Sequence, residues 1–214
     1  MVELQSSKLA MRVRFPLPAP FMNVCHELKT ILWLPPRTAT RAIAPLFYKF
    51  NFIRADFGKH IQDYDKYTHE LSIPEGCEDY DIICTLRNPF SWMLSIWHWD
   101  NFYPGFPEAE RLTFSQYIEK EQWELSGISK NILNAKITYP IRYEFMKQDL
   151  MSIPWFDVDE KLINSLLNQN NYKSENLKRN PENKNFSDYL AHYTKKELDV
   201  VRTKFSALFT KLGY

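Results

Sequence analysis

Two short constellations in this chain carry residues that could do chemistry. The first is Pro36-Arg37-Thr38-Ala39-Thr40-Arg41, set between the apolar run Ile31–Leu34 and an apolar, helix-compatible stretch from Ala42 to Phe50. Arg37, Thr38, Thr40 and Arg41 thus put cations and hydroxyls where a buried strand turns into a helix. Backbone N–H groups at a helix start point outward, and the helix dipole favours negative charge there, so the pattern suits an anion. Alone, it equally describes an ordinary strand-to-helix turn with solvated arginines. The second constellation is Arg87 with Ser95, eight residues on. Arg87 directly follows the apolar run Asp81–Leu86, at the carboxyl end of an expected strand, where ligands bind in open α/β sheets. Ser95 lies about two turns along the helix that follows. A fixed guanidinium and a hydroxyl can clamp one phosphate, and the forked donors of arginine suit that task better than a lysine. The competing reading pairs Arg87 with a local carboxylate and leaves Ser95 facing a small gap.

The elements that must hold these residues are legible in outline. Thr30–Leu34 and Asp81–Leu86 are apolar runs of strand length, as expected for strands buried on both faces. Helices are expected over 41–50 and 89–99, the second with Pro89 in its first turn, where the missing N–H costs nothing. A short strand is expected near Phe52–Ala55, and a further one over 136–144, weakened by Pro140. Thr113 reads as the cap of a helix over 114–124. Helices are also expected over 145–151, 159–169 and 194–212, the last with Leu198, Val201, Phe205, Leu208 and Leu212 at helical spacing. The stretches 101–110 and 124–134 read as loops that would build an acceptor pocket, and 170–186 as a polar loop. Strands separated by helices imply an α/β fold with a mainly parallel sheet.

Bulk properties narrow the classes. The 214 residues suit one domain, taken as 29–214, preceded by an irregular lead-in over 1–28. Net charge is +1, so no global basic field marks a nucleic-acid binder, and any anion site must be a local cluster. The three cysteines (Cys25, Cys77, Cys84) are an odd count without metal-ligand spacing, which argues for a reducing compartment and against a disulfide scaffold. Prolines 16, 18 and 20 interrupt any apolar leader, and no run approaches the roughly 20 apolar residues a membrane span needs. The expectation is a cytoplasmic protein without a membrane span, a metal or a nucleic-acid partner.

A strand ending in Pro-Arg-Thr-Ala-Thr-Arg, followed by a strand ending in Arg-Asn-Pro-x(5)-Ser, resembles the sulfotransferase family. Its members take a sulfuryl group from 3′-phosphoadenosine 5′-phosphosulfate (PAPS). The resemblance spans about 29–214 and is carried mainly by these two motifs, more weakly by Ile141–Leu150 and Tyr193–Tyr214. It implies a three-layer α/β/α domain of the P-loop nucleotide-binding type. By that match Arg37, Thr38, Ala39, Thr40 and Arg41 line the 5′-phosphosulfate site, and Arg87 and Ser95 hold the 3′-phosphate. Many members carry a Thr-His pair before the Arg-Asn-Pro strand. Thr68-His69 occupies that place and makes His69 the expected base for the acceptor proton, with Glu70 in reserve and Lys66 as an assisting cation. Lys178 and Arg179, in a basic stretch near the C-terminus, are candidates to reach over the 3′-phosphate.

The sequence departs from the family at two positions of the first loop. Ala39 stands where glycine is usual, and a positive φ there would cost roughly 1 kcal/mol. Arg37 replaces the commoner lysine, which keeps the charge but removes any role as proton donor. The function expected from the resemblance is sulfuryl transfer to a hydroxyl or amine, with a carbohydrate as the leading acceptor class. Two alternatives stand beside it. One is a non-catalytic nucleotide-binding module of the same fold. The other is a P-loop kinase-like enzyme, which would need a Gly-Lys-Ser/Thr loop that the chain lacks.

Overall fold

The structure, a computed structural model, describes residues 21–54, 73–102, 111–120, 124–165 and 186–214. Among the described residues five strands form one sheet: β1 (Phe21–Cys25), β2 (Thr30–Leu34), β3 (Ile53–Arg54), β4 (Asp81–Leu86) and β5 (Tyr139–Arg142). Their order is β3-β1-β2-β4-β5. β2–β4 and β4–β5 pair in parallel, whereas β1 pairs antiparallel with both β2 and β3. The sheet is therefore mixed rather than mainly parallel. The correction comes from Phe21–Cys25, read in the sequence as irregular lead-in. It folds back on β2 through a four-residue turn, 26–29, that closes with Lys29 at φ +47°.

Both expected buried strands are present. Every residue of β2 is buried, as are Ile82 to Leu86 of β4. β5 tolerates Pro140 because it is the sheet edge, where a missing donor leaves no neighbour unpaired.

Helices cover both faces. α1 (Thr40–Phe47) places Ile43, Leu46 and Phe47 in one core cluster with Leu32, Leu34, Ile83 and Ile141. α2 (Pro89–Phe102) places Trp92, Met93 and Ile96 in the other, with Ile31, Trp33, Ile82 and Cys84. α3 (Phe114–Glu119) and α4 (Glu124–Asn134) join the α2 side. The α1 side is completed by α5 (Met146–Met151), which contributes Met146 and Leu150.

Local chemistry explains where the helices begin and end. Thr113 starts α3 with a capping box to Gln116. Pro45 inside α1 removes a ladder donor, and the helix stops two residues later. Residues 124–134, expected as loop, form α4, whose Leu125, Ile128 and Ile132 fall on one buried stripe. The expected C-terminal helix is two, α6 (Lys195–Lys204) and α7 (Ser206–Leu212), broken at Phe205. Lys211 of α7 caps α4, donating to the carbonyls of Ile132, Leu133 and Ala135 at 2.7–2.9 Å.

All three cysteines are buried and free. Among the described residues, no helix is long and apolar enough to cross a membrane.

Candidate anion site at the carboxyl ends of the strands

β2 and β4 are adjacent and parallel, but the helices that follow them leave to opposite faces of the sheet. That divergence opens a crevice at the carboxyl ends of the two strands, the usual ligand position in such sheets. The turn 35–39 after β2 forms one wall and the turn 87–88 after β4 the other.

The first turn is held by its carbonyls. The Pro35 oxygen accepts from the hydroxyls of Thr38 (2.6 Å) and Thr40 (3.2 Å). Trp92 Nε1 donates to the Pro36 oxygen at 2.9 Å. Arg87 Nη1 donates to the Arg37 oxygen at 3.1 Å. The Ala39 oxygen accepts from the N–H groups of Ala42 and Ile43 at the start of α1. Among the described residues no peptide bond is cis. In a trans peptide the N–H points opposite to its carbonyl. The N–H groups of Arg37, Thr38 and Thr40 therefore point away from Trp92, Arg87 and the helix, in the sense an anion requires.

This shape needs left-handed backbone at both Arg37 and Ala39, each at φ +65°. The glycine-like demand expected at position 39 is thus present, and an L-residue carries it. Ala39→Gly is expected to raise stability by up to about 1 kcal/mol, because strain relief competes with the greater chain entropy of glycine. A shift of the denaturation midpoint reads it out. A loss of stability would mean that packing of the Ala39 Cβ against the α1-side core outweighs the strain.

The side chains divide into internal and ligand-facing groups. Thr38 is fully buried. Its single proton is committed to Pro35, so at 2.5 Å it accepts from the Thr85 hydroxyl. Its contribution to a ligand is limited to its backbone. Arg37 is half-buried, its Nε donates to Ser95 Oγ at 3.2 Å, and its guanidinium lies 4.9 Å from the centre of the Trp99 ring.

Arg87 is only 6% exposed. Its Nε donates to Ser91 Oγ at 2.9 Å, and it stacks 4.4 Å from the Tyr143 ring centre. Burial pulls its proton affinity down, while Tyr143, Glu144, Tyr214 and Tyr189 pull it back up. Arginine starts so high that the group stays cationic.

The expected Arg87–Ser95 pair is therefore realised as two pairs, Arg87 with Ser91 and Arg37 with Ser95. Ser91, Ser95 and His98 stand at i, i+4 and i+7 on a helix otherwise filled by Trp92, Met93, Leu94 and Ile96. A polar stripe on a largely apolar helix is the sequence signal that could have found Ser91 and His98. Trp92, which anchors the first turn, Thr85 and Glu144 carried no comparable signal. The backbone of Arg41 is the second residue of α1. His69, Glu70, Lys66, Lys178 and Arg179 lie outside the described residues, as does 103–110 of the expected acceptor loop.

Comparison of the chain with protein-family models, with curated proteins and with solved structures finds no match.

Proposed function

We propose that this protein is a sulfotransferase. In this reading it moves a sulfuryl group from PAPS to a hydroxyl or amine of an acceptor, most readily a carbohydrate, on a P-loop-type domain. The observation that carries the reading is the bond from Arg87 Nη1 to the Arg37 carbonyl. It joins the two motifs, 50 residues apart in sequence, at adjacent strand ends. Two cations and a turn with outward N–H groups then stand within one crevice, as a ligand with two separated phosphate-type groups requires.

The outward N–H groups of the 37–40 turn and Arg37 hold the 5′ end of the donor, and Arg87 holds its 3′-phosphate. Lys178 and Arg179 add charge over that phosphate. Bound there, PAPS supplies a sulfuryl group whose bond to the 5′-phosphate oxygen breaks as the acceptor oxygen bonds to sulfur. Arg37 stabilises the charge left on the 5′-phosphate as a fixed donor. His69 takes the acceptor proton.

The test is binding of 3′-phosphoadenosine 5′-phosphate against ATP, by calorimetry or thermal shift. The bisphosphate should bind and ATP should not compete. Arg87→Met should weaken the bisphosphate about a hundredfold, the loss of a charge-assisted contact of roughly 3 kcal/mol. Adenosine 5′-phosphate should weaken only severalfold, through the loosened Arg37 turn. Equal losses for both nucleotides would sink the assignment of Arg87. Release of the bisphosphate from PAPS with a panel of acceptors then separates an enzyme from a binding module.

A further inference from the structure

Glu144 follows β5 directly, and its carboxylate reaches across to the start of α2. The Asn88 N–H donates to both of its oxygens, at 3.2 and 3.3 Å. The Ser91 hydroxyl lies 3.1 Å from Oε1 and 3.2 Å from the Asn88 carbonyl, so these two acceptors share its single proton, and the Tyr214 hydroxyl donates to Oε2. Ser91 in turn accepts from Arg87. Asn88, Ser91 and Arg87 are 8%, 2% and 6% exposed, whereas Glu144 itself is exposed. Two buried donors from the 88–91 turn and the half-buried phenol of Tyr214 thus converge on one carboxylate at the end of a solvent-facing side chain. Burial and the Glu144 carboxylate also push the Tyr214 phenol up, which keeps it a donor.

This set comprises a peptide N–H at the start of a 14-residue helix, a serine hydroxyl, a phenol and an adjacent buried guanidinium. It is the kind of donor set that binds a phosphate monoester. A carboxylate satisfies it with one charge and two oxygens. A phosphate brings up to two charges and three oxygens. We propose that Glu144 is an internal counter-anion that fills the Arg87 phosphate site and is displaced when a phosphate-bearing ligand enters. The exchange makes Glu144 a determinant of affinity and selectivity. A singly charged ligand replaces like with like and gains little, whereas a dianion gains the difference. The identity of the ligand as a 3′-phosphorylated nucleotide rests on the sulfotransferase reading; the exchange does not.

The experiment compares wild type with Glu144→Gln in thermal melts and calorimetry. The probes are inorganic phosphate, 3′-phosphoadenosine 5′-phosphate and adenosine 5′-phosphate. Without anion, Glu144→Gln should melt below wild type, because Arg87 has lost a counter-charge. Phosphate should restore its melting temperature while barely moving wild type, with affinity at least about tenfold tighter in the variant. Adding Arg87→Met to the variant should remove that response. Equal phosphate responses in wild type and variant, or none in either, overturn the proposal.

If the bisphosphate nucleotide shows the same preference for the variant and adenosine 5′-phosphate does not, the site is the 3′-phosphate site. If phosphate discriminates but the bisphosphate binds neither protein, the exchange stands and the nucleotide reading falls. Should Glu144→Gln not fold, Glu144→Asp keeps the charge on a shorter arm and should give an intermediate phosphate response. A response equal to wild type would overturn the proposal.

Discussion

Trp92→Ala is expected to cost about 3–5 kcal/mol, a large share of the stability of a domain this size. Trp92 is fully buried between α2 and the sheet. Truncation removes its contacts and leaves a cavity that the surrounding strands cannot close. The indole also has a second role, since Nε1 holds the Pro36 carbonyl at 2.9 Å and so orients the anion turn. Trp92→Phe separates the two roles. The ring is largely kept, one hydrogen bond is lost, and the cost should be nearer 1–2 kcal/mol, with a disproportionate loss of anion binding. Denaturant melts of both variants, with a titration of the second with 3′-phosphoadenosine 5′-phosphate, decide the matter. A Trp92→Ala cost below about 1 kcal/mol would show that the indole is not a packing centre.

Acid should remove about 3 kcal/mol of stability through His98 alone. The residue is 3% exposed on α2. Burial first, and the nearby Arg37 charge second, push its value down to about 4. An unfolded-chain histidine titrates near pH 6.5. Between these values the unfolded chain takes up a proton that the folded chain refuses. The associated stability is therefore intact above pH 6.5 and lost as pH falls towards 4, at about 1.4 kcal/mol per pH unit. His98→Leu removes the titration at similar volume. Its stability difference from wild type should shrink or reverse as pH falls from 7 to 4. Parallel curves for the two proteins would show that His98 does not drive the acid transition.

Much of the fold could be read from short-range pattern. Continuous apolar runs of strand length marked β2 and β4, because a strand covered on both faces has no polar side. Proline in the first turn of α2 and the capping threonine at 113 set helix starts through local geometry alone. The demand for left-handed backbone at Ala39 was implied by the resemblance, in which glycine is usual at that place, and the structure has Ala39 at φ +65°.

What failed to be read depended on partners far along the chain. Phe21–Cys25 has no strand signature beyond its length, and becomes a strand because β2 offers it an edge. Leu125, Ile128 and Ile132 form a buried stripe, but Gly127 and the surrounding polar residues hid the helix. Spacing favoured Ser95 as the partner of Arg87, yet Ser91 and Ser95 share one helix face and either could serve.

Residue types and local order thus determine that two cationic turns sit at the ends of two buried strands. They hold because turn chemistry and apolar runs act over a few residues. The sheet order decides which groups meet. Setting β4 beside β2 brings Arg87 to the Arg37 carbonyl and Arg37 to Ser95, 50 and 58 residues away. Placing β5 at the edge next to β4 puts Glu144 against the Asn88 N–H and the Ser91 hydroxyl, beside Arg87. Such pairings follow from packing the two faces of one sheet, and no local spacing encodes them.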